Sequence, residues 1–420
     1  MSTLTSHHVT NILTQHAEEA VFLWLKRSYL VHAPHVALRH LARNDNRLAA
    51  HIDGLRVAGD EGWKLCEGQL SSEESGEMFP AMLMALESKQ QARIDKLFAL
   101  AEAVPAMRSG LHSTFGWVSA QFLQGTVKDL LASSSPFRRL IAIACCTLHR
   151  VDAGKAIIDA IRDSNVELRA RALRAAGELG RIDLLTLCEQ HTNDKDIACQ
   201  FWSAWSSAIL GERKHSIETL KLFFTPGPFQ ERALQLALKV MPLNEAHAVL
   251  KSFASHSADK RMLVKGAGIA GDSFYVSWLI KQMETLKLTR LAGEAFSLIT
   301  GLDLALLDLD RKPPENFESG PNDDPNDVNV AMDEDENLPW PDPEKIQAWW
   351  NANQHRFQNG VRYFMGEPVN VEQCKKVLLD GFQRQRGAAA LYLSLLQLGT
   401  PLFPTSAPAW RQQRWLVKRE

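Results

Sequence analysis

Apolar residues recur at helical spacing along most of the chain. In "RARALRAAGELGRIDLL" (169–185) they occupy positions i, i+3, i+4 and i+7 of a segment that stops at Gly180. This spacing predicts an α-helix with one apolar face. Related stretches begin at Arg138, 31 residues earlier, and at Gln200, 31 residues later. Each stretch therefore predicts a first helix that is closed by a turn.

The predicted turns fall at nearly constant intervals. The residues that mark them are separated by 31, 31, 31, 29 and 30 positions: His149, Gly180, Gly211, Pro242, Gly271 and Gly301. A second apolar segment follows each of the first five markers: 154–163, 182–191, 215–224, 244–254 and 274–283. Because a single helix pair cannot bury its own apolar stripe, this repeat predicts stacked pairs in an all-α solenoid. The repeat length and the alanine-rich first helices resemble short HEAT-like repeats.

One glycine pattern competes with this interpretation. Residues 265–272, "KGAGIAGD", contain G-x-G-x-x-G, the spacing of a loop that binds a dinucleotide pyrophosphate. That pattern has meaning only after a β-strand and before a helix. Here it falls at the end of a predicted first helix, where Gly271 is expected to be the C-terminal cap. We therefore predict no dinucleotide site and no cofactor.

Composition changes along the chain and divides it into four predicted segments. Residues 313–336 contain nine acidic residues and no Lys or Arg, whereas residues 343–420 contain eleven Lys or Arg and five Asp or Glu. Loss of periodicity together with high charge is typical of a disordered linker. The predicted segments are a helical N-terminal cap (1–72), a HEAT-like repeat solenoid (73–310), an acidic disordered linker (311–342) and a basic C-terminal helical block (343–420).

Bulk properties restrict the function classes. The 420-residue chain has a formal net charge of -2, so it lacks the basic excess that nucleic-acid binding usually requires, and nucleic acid is an unlikely partner. No uncharged apolar run is long enough for a membrane span, and the N-terminus does not have the pattern of a signal peptide. The six cysteines show no CxxC spacing. They are expected to be buried thiols in a cytoplasmic protein that binds no metal.

The sequence contains no catalytic motif that we can assign to residues. HExxH, GxxxxGK[ST] and GxSxG are absent, so we predict no catalytic residue. Asp272 and Ser273, in "AGDSF", fall at a turn where both residue types commonly cap the next helix. Trp202 and Trp205 share one helix face. They are expected in the core, the alternative being a stacking platform such as base-excision enzymes on HEAT-like scaffolds use.

The register of the repeats suggests a partner site on the second helices. Five polar residues recur there at intervals of 31, 31, 30 and 30: Asp159, Gln190, Lys221, Lys251 and Lys281. Second helices line the concave face of HEAT-like arrays, so the last three predict a basic row, which we call the lysine ladder. It would bind an acidic segment of a protein partner or the chain's own linker. The alternative is that they are three unrelated solvated lysines.

Several stretches outside the repeats resemble an uncharacterised proteobacterial family of HEAT-like repeat proteins: "RLAAHIDGLRVAGDEGWKLCE" (47–67), "GVRYFMGEPV" (360–369), "RQRGAAALYLSLLQLGTPLF" (384–403) and "APAWRQQRW" (407–415). The resemblance implies a helical-repeat fold without known catalytic residues, and genes that sometimes lie near type VI secretion loci. The expected function is a non-enzymatic scaffold or adaptor that binds a protein on its concave face, in one form an accessory to effector loading or neutralisation. The alternative is an enzyme on the same scaffold, similar to a DNA glycosylase or a chromophore lyase.

Overall fold

The structure, a computed structural model, describes residues 2–256, 260–315, 317, 320 and 333–417. This part of the chain is helical apart from one short β-hairpin, which confirms the all-α class. No helix within it is both long and apolar enough to cross a bilayer. The chain forms two compact units, unit 1 from residues 1–212 and 398–420, and unit 2 from residues 213–397.

Unit 1 contains fourteen of the described α-helices. They are α1 (Ser2–Leu30), α2 (Leu38–Val57), α3 (Asp60–Gln69), α4 (Ser75–Glu87), α5 (Gln91–Ala103), α6 (Arg108–Trp117), α7 (Ala120–Leu123), α8 (Thr126–Leu131), α9 (Pro136–Leu148), α10 (Lys155–Ile161), α11 (Val166–Glu178), α12 (Leu185–Glu189), α13 (Ile197–Leu210) and, at the C-terminal end, α23 (Ala409–Val417). The first helices α9, α11 and α13 pack side by side in succession, and α10 and α12 pack on α11 and α13.

Unit 2 contains nine described α-helices and the hairpin. They are α14 (His215–Lys221), α15 (Gln230–Val240), α16 (Leu243–His256), α17 (Lys260–Ala270), α18 (Val276–Gln282), α19 (Thr289–Thr300), α20 (Pro343–Asn353), α21 (Val371–Asp380) and α22 (Gln383–Leu396), with strands β1 (Tyr363–Phe364) and β2 (Glu367–Pro368). The strands are antiparallel, with Tyr363 opposite Pro368. The first helices α15, α17 and α19 again pack in succession. Periodicity did not predict the hairpin.

The predicted turn markers do end the first helices. Gly180, Gly211, Gly271 and Gly301 all have positive φ, between 67° and 118°, a conformation that suits glycine at a helix C-terminus. Gly271 follows α17, and the described residues just before that helix belong to α16 rather than to a strand. The interpretation of "KGAGIAGD" as a helix end is therefore confirmed.

Residues 398–417 close unit 1 by bonding to the ends of its first helices. The Leu402 N–H donates to Glu178 O at 2.8 Å. The buried Arg411 guanidinium donates to the carbonyl oxygens of Gly116, Trp117 and Val118 at 2.6, 3.1 and 2.9 Å. The last carbonyls of an α-helix have no partner inside the helix. The C-terminal segment therefore supplies donors that these helices lack.

Unit 2 is closed in the same way by the segment that carries the hairpin. The Tyr363 N–H donates to Gly271 O at 2.7 Å. The Arg362 side chain donates to Ala270 O, Lys239 O and Met241 O at 3.0, 2.6 and 2.8 Å. Burial lowers the pKa of Arg362, yet three carbonyl acceptors compensate for the lost hydration of the guanidinium.

Two further sequence predictions concern buried side chains. All six cysteines are buried free thiols, as predicted. Trp202 and Trp205 are only 8% and 6% exposed, with ring centres 5.3 Å apart, which confirms core packing rather than an exposed stacking platform. The division into four segments stays a prediction. Its C-terminal block, residues 343–420, contributes to both compact units.

Gly180 and Gly211 allow a matched test of the closure of unit 1. A Cβ at Gly180 would lie 2.5 Å from Gly399 O, whereas one at Gly211 would meet only the side chain of Leu398, at 3.3 Å. Gly211→Ala should lower the free energy of unfolding by about 1–2 kcal/mol, the cost of left-handed backbone. Gly180→Ala should cost at least about 1 kcal/mol more, because backbone must move. Urea denaturation measures both, and equal losses would contradict the close contact.

His112 and His149 predict a dependence of stability on pH. Burial, helped by the charge of Arg171 for His112 and of Arg411 for His149, lowers the pKa of each to about 4. The ordinary value is about 6.5. The unfolded chain therefore binds more protons between these values, and stability present above pH 6.5 should be lost as the pH falls towards 4.

The change His149→Gln isolates one of these groups. His149 Nε2 lies 2.8 Å from Phe115 O, and a glutamine amide can donate the same hydrogen bond without titrating. We expect the variant to lose less unfolding free energy than the wild type between pH 7 and pH 5 in urea titrations. An identical loss in both proteins would show that His149 does not contribute.

Candidate functional site

The predicted partner residues of unit 1 lie on its surface. Asp159 is exposed on α10, and its carboxylate is 3.9 Å from Lys155 Nζ. Gln190 is exposed directly after α12. Neither takes part in a cluster of polar side chains, so nothing in unit 1 adds to the prediction for these two residues.

The lysine ladder occupies equivalent helices of unit 2. Lys221 ends α14 and donates to Glu218 at 2.6 Å, whereas Lys251 on α16 and Lys281 on α18 are exposed. The residue before each lysine (Leu220, Leu250 and Ile280) is buried. Each lysine therefore lies next to a core residue on its helix, as the register predicts. Its role in partner binding stays a prediction.

The described end of the acidic linker lies in a different site. Residues 333–335, which we call the acidic segment, contact arginines from three helices of unit 2: Arg261 on α17, Arg290 on α19 and Arg384 on α22. This end of the linker therefore pairs with arginines of the chain itself, and none of them belongs to the lysine ladder. Much of 311–342 lies outside the described residues, and its predicted disorder stays untested there.

Arg261 makes the most complete contact with the acidic segment. Its two terminal nitrogens donate to the two oxygens of Asp335, each at 2.8 Å, and Nη2 also donates to Glu334 at 3.0 Å. Such a bidentate arrangement is the strong form of a charge-assisted hydrogen bond. The bonds from Asp335 raise the pKa of Arg261. Asp335 itself is 4% exposed, whereas the Arg261 side chain is 31% exposed, so the carboxylate is shielded from solvent and the guanidinium only partly.

Arg290 contacts the acidic segment through both of its terminal nitrogens. Its Nη2 lies 2.7 Å from Asp333 Oδ2, and Nη1 donates to Asp335 O at 3.0 Å. The guanidinium packs on two aromatic rings that contact each other, 4.8 Å from the centre of Trp340 and 5.1 Å from that of Phe317. Cation–π contacts of this kind contribute about 0.5–2 kcal/mol. They also fix the plane of the guanidinium towards the acidic residues.

Arg384 completes the site from the C-terminal part of unit 2. One nitrogen donates to Glu294 at 2.9 Å, and the other donates to the backbone oxygen of Glu334 at 3.2 Å. Burial raises the pKa of Glu294, against the opposing effect of the Arg384 charge. Each of the three arginines thus has a carboxylate of its own, and the site is close to charge balance.

Equivalent arginines in unit 1 show which partner Arg261 lacks in its own repeat. There, Arg139 of α9 pairs with Asp163 at 2.9 Å, and Arg169 of α11 pairs with Asp194 at 3.0 Å. Each aspartate lies in the loop just before the next first helix. Arg261 has the corresponding place on α17, yet the following loop offers it only a backbone oxygen, that of Lys287 at 3.1 Å. Asp335 supplies the carboxylate from 74 residues away.

Sequence reasoning missed these arginines because it searched the second helices. A signal was present, since Arg232, Arg261 and Arg290 recur at intervals of 29 residues on the first helices. The acidic run was noted for its charge alone. Asp163 and Asp194 fill one position of the loop in unit 1, and the loop after α18 has no aspartate there. Without that comparison, the arginines could not be paired with the acidic run.

The turn after α17 also contains a polar pair. Asp272 caps the turn at residues 273–275 by accepting from the Phe274 N–H at 2.9 Å, so the predicted capping role is confirmed. Its second oxygen lies 2.9 Å from His247 Nε2. Asp272 is buried, while Phe274 is exposed and packs on the ring of His247 at 4.9 Å. The pair fixes the orientation of His247 on α16.

Comparison of the chain with protein-family models, with curated proteins and with solved structures finds no match.

The acidic segment predicts unequal effects of two neutral substitutions. Asp335→Asn removes the carboxylate from the bidentate pair and should lower the unfolding free energy by about 1–3 kcal/mol, a range reduced because Arg261 is partly exposed. Glu334→Gln is the matched control, since Glu334 is 71% exposed in its side chain and should cost no more than about 1 kcal/mol. Chemical denaturation measures both. Equal effects would mean that Asp335 is not a buried partner.

Proposed function

We propose that this chain is a non-enzymatic scaffold or adaptor, a HEAT-like solenoid that binds an acidic segment of a protein partner. One observation supports this most directly. Two first helices of unit 2, α17 and α19, together with α22 hold an acidic segment of the chain itself, residues 333–335, through one arginine each. Successive repeats therefore present cations at a spacing that an extended acidic stretch can follow.

The lysine ladder is the surface on which we place the partner. Lys251 and Lys281 are exposed on successive second helices, and Lys221 is partly exposed with Glu218 beside it. The arginines that bind the acidic segment are largely occupied by its carboxylates, and a lysine ammonium is a hydrated point charge on a flexible stem that can adapt to a partner. Contacts of this type contribute little individually but steer association at low salt.

The choice of partner class rests on charge and architecture. Helices pack side by side in succession within each unit, and repeat arrays typically bind proteins on the surfaces that such stacking creates. The near-neutral net charge disfavours nucleic acid. An accessory role in loading or neutralising a type VI secretion effector is the specific form of this function that we propose.

Charge reversal of the lysine ladder tests the proposal. The triple variant Lys221→Glu, Lys251→Glu, Lys281→Glu should weaken partner binding at least about tenfold at low salt, and less at high salt because surface charges are screened. The probe is the tagged full-length chain as bait in native cytoplasm, followed by mass spectrometry. The identified partner is then titrated against purified variants.

A second triple variant controls for net charge. Lys26, Lys64 and Lys89 are exposed in unit 1, and their reversal to Glu changes the charge by the same amount. This variant should keep the affinity of the wild type. Equal weakening by both triples, or none by the ladder triple, would reject the ladder as the site. Recovery of nucleic acid or a small molecule in place of a protein would favour an enzyme.

A further inference from the structure

Two arginines on α11 share a single carboxylate. Arg171 Nη2 lies 2.6 Å from Glu178 Oε2, and Arg174 Nε lies 2.7 Å from Glu178 Oε1. The same Arg171 nitrogen donates to the Thr147 hydroxyl. Two positive charges thus face one negative charge. By contrast, each of Arg261, Arg290 and Arg384 in unit 2 has at least one carboxylate that it does not share with another arginine.

The groups that surround this pair do not restore the balance. His112 of α6 faces the arginines and is neutral near pH 7, because burial lowers its pKa to about 4. The Cys146 thiol beside Arg171 is neutral as well, since burial raises its pKa to about 11. Trp202 of α13 lies under the Arg174 guanidinium at 4.5 Å and carries no charge. The described cluster therefore keeps one excess positive charge.

This excess is costly because the cluster is poorly hydrated. The side chains of Arg171 and Glu178 are only 11% and 16% exposed, and an unmatched charge that has lost its water destabilises a fold unless an ion of opposite sign is near. Arg171 Nε is buried without a hydrogen-bond partner. Arg139 Nε has no partner either, but Arg139 has Asp163 as its own carboxylate. The α11 cluster differs from Arg139 in that it combines a vacant donor with excess charge.

We propose that the α11 cluster (Arg171, Arg174, Glu178, His112 and Trp202) is a binding site for an oxyanion, a carboxylate or phosphate group. The ligand oxygen would accept from Arg171 Nε–H and lie beside the Arg174 guanidinium, which is 36% exposed and forms the open side of the site. Charge-assisted hydrogen bonds to guanidinium are strong and directional. Bound oxyanion neutralises the excess charge. This inference does not depend on the proposed adaptor function.

The arginine side chains report binding directly. In the full-length chain labelled with ¹⁵Nε-arginine, titration with inorganic phosphate or with acetate at constant ionic strength should shift the Arg171 Nε–H resonance along a saturable curve. Arg139 is the internal control, because its Nε–H is equally vacant but its charge is matched, so its resonance should not follow the curve. Saturation with phosphate alone indicates a phosphate ligand, and saturation with acetate a carboxylate ligand.

Arg174→Gln tests the charge argument. The Arg171–Glu178 pair stays in this variant, so the reporter group is retained while the excess charge is removed. Oxyanion affinity should fall at least about tenfold. The proposal is overturned if neither anion saturates the Arg171 signal, if Arg139 shifts in parallel, or if Arg174→Gln binds as tightly as the wild type.

Discussion

The carbonyl groups at the ends of the first helices are the constraint on which both units depend. A helix leaves its last carbonyls without intrahelical donors, and burying them unpaired costs about 1–3 kcal/mol each. In unit 1 the donors come from Leu402 and Arg411, and in unit 2 from Arg362 and Tyr363. Residues after 357 therefore complete the repeats of both units rather than extend them.

Guanidinium groups supply most of these hydrogen-bond donors because one planar group can donate to several acceptors. Arg411 reaches three carbonyls and Arg261 both oxygens of Asp335. A lysine in the same places would offer a point charge on a flexible stem. Because each guanidinium also carries a fixed positive charge, the number of carboxylates beside it shows whether the charges balance. Where Arg171 and Arg174 share Glu178, one donor, Arg171 Nε–H, has no partner and the charges do not balance, and that difference is why we propose a ligand site there.

The sequence predicted local structure well because local structure depends on short-range spacing. Apolar periodicity and the glycine markers located the first and second helices within a few residues, and Gly271 was assigned correctly as a helix end. Long-range pairing has no such signature. Arg411 and Gly116 are 295 residues apart, and Asp335 finds Arg261 only because the loop after α18 has no aspartate there. The acidic run was recognisable by composition, but composition did not identify the arginines that bind it.

The arginines that bind the acidic segment and the lysines of the ladder suit separate roles because they differ in burial. Arg290 is 8% exposed and packs on two aromatic rings, so exchanging its anion would break cation–π and hydrogen-bonded contacts together. Lys281 is exposed, and an acidic group can approach it without displacing the fold. Buried arginines thus suit permanent closure, and exposed lysines suit reversible binding. The adaptor that we propose would gain affinity from several weak contacts along its repeats, and that affinity would decrease steeply with ionic strength.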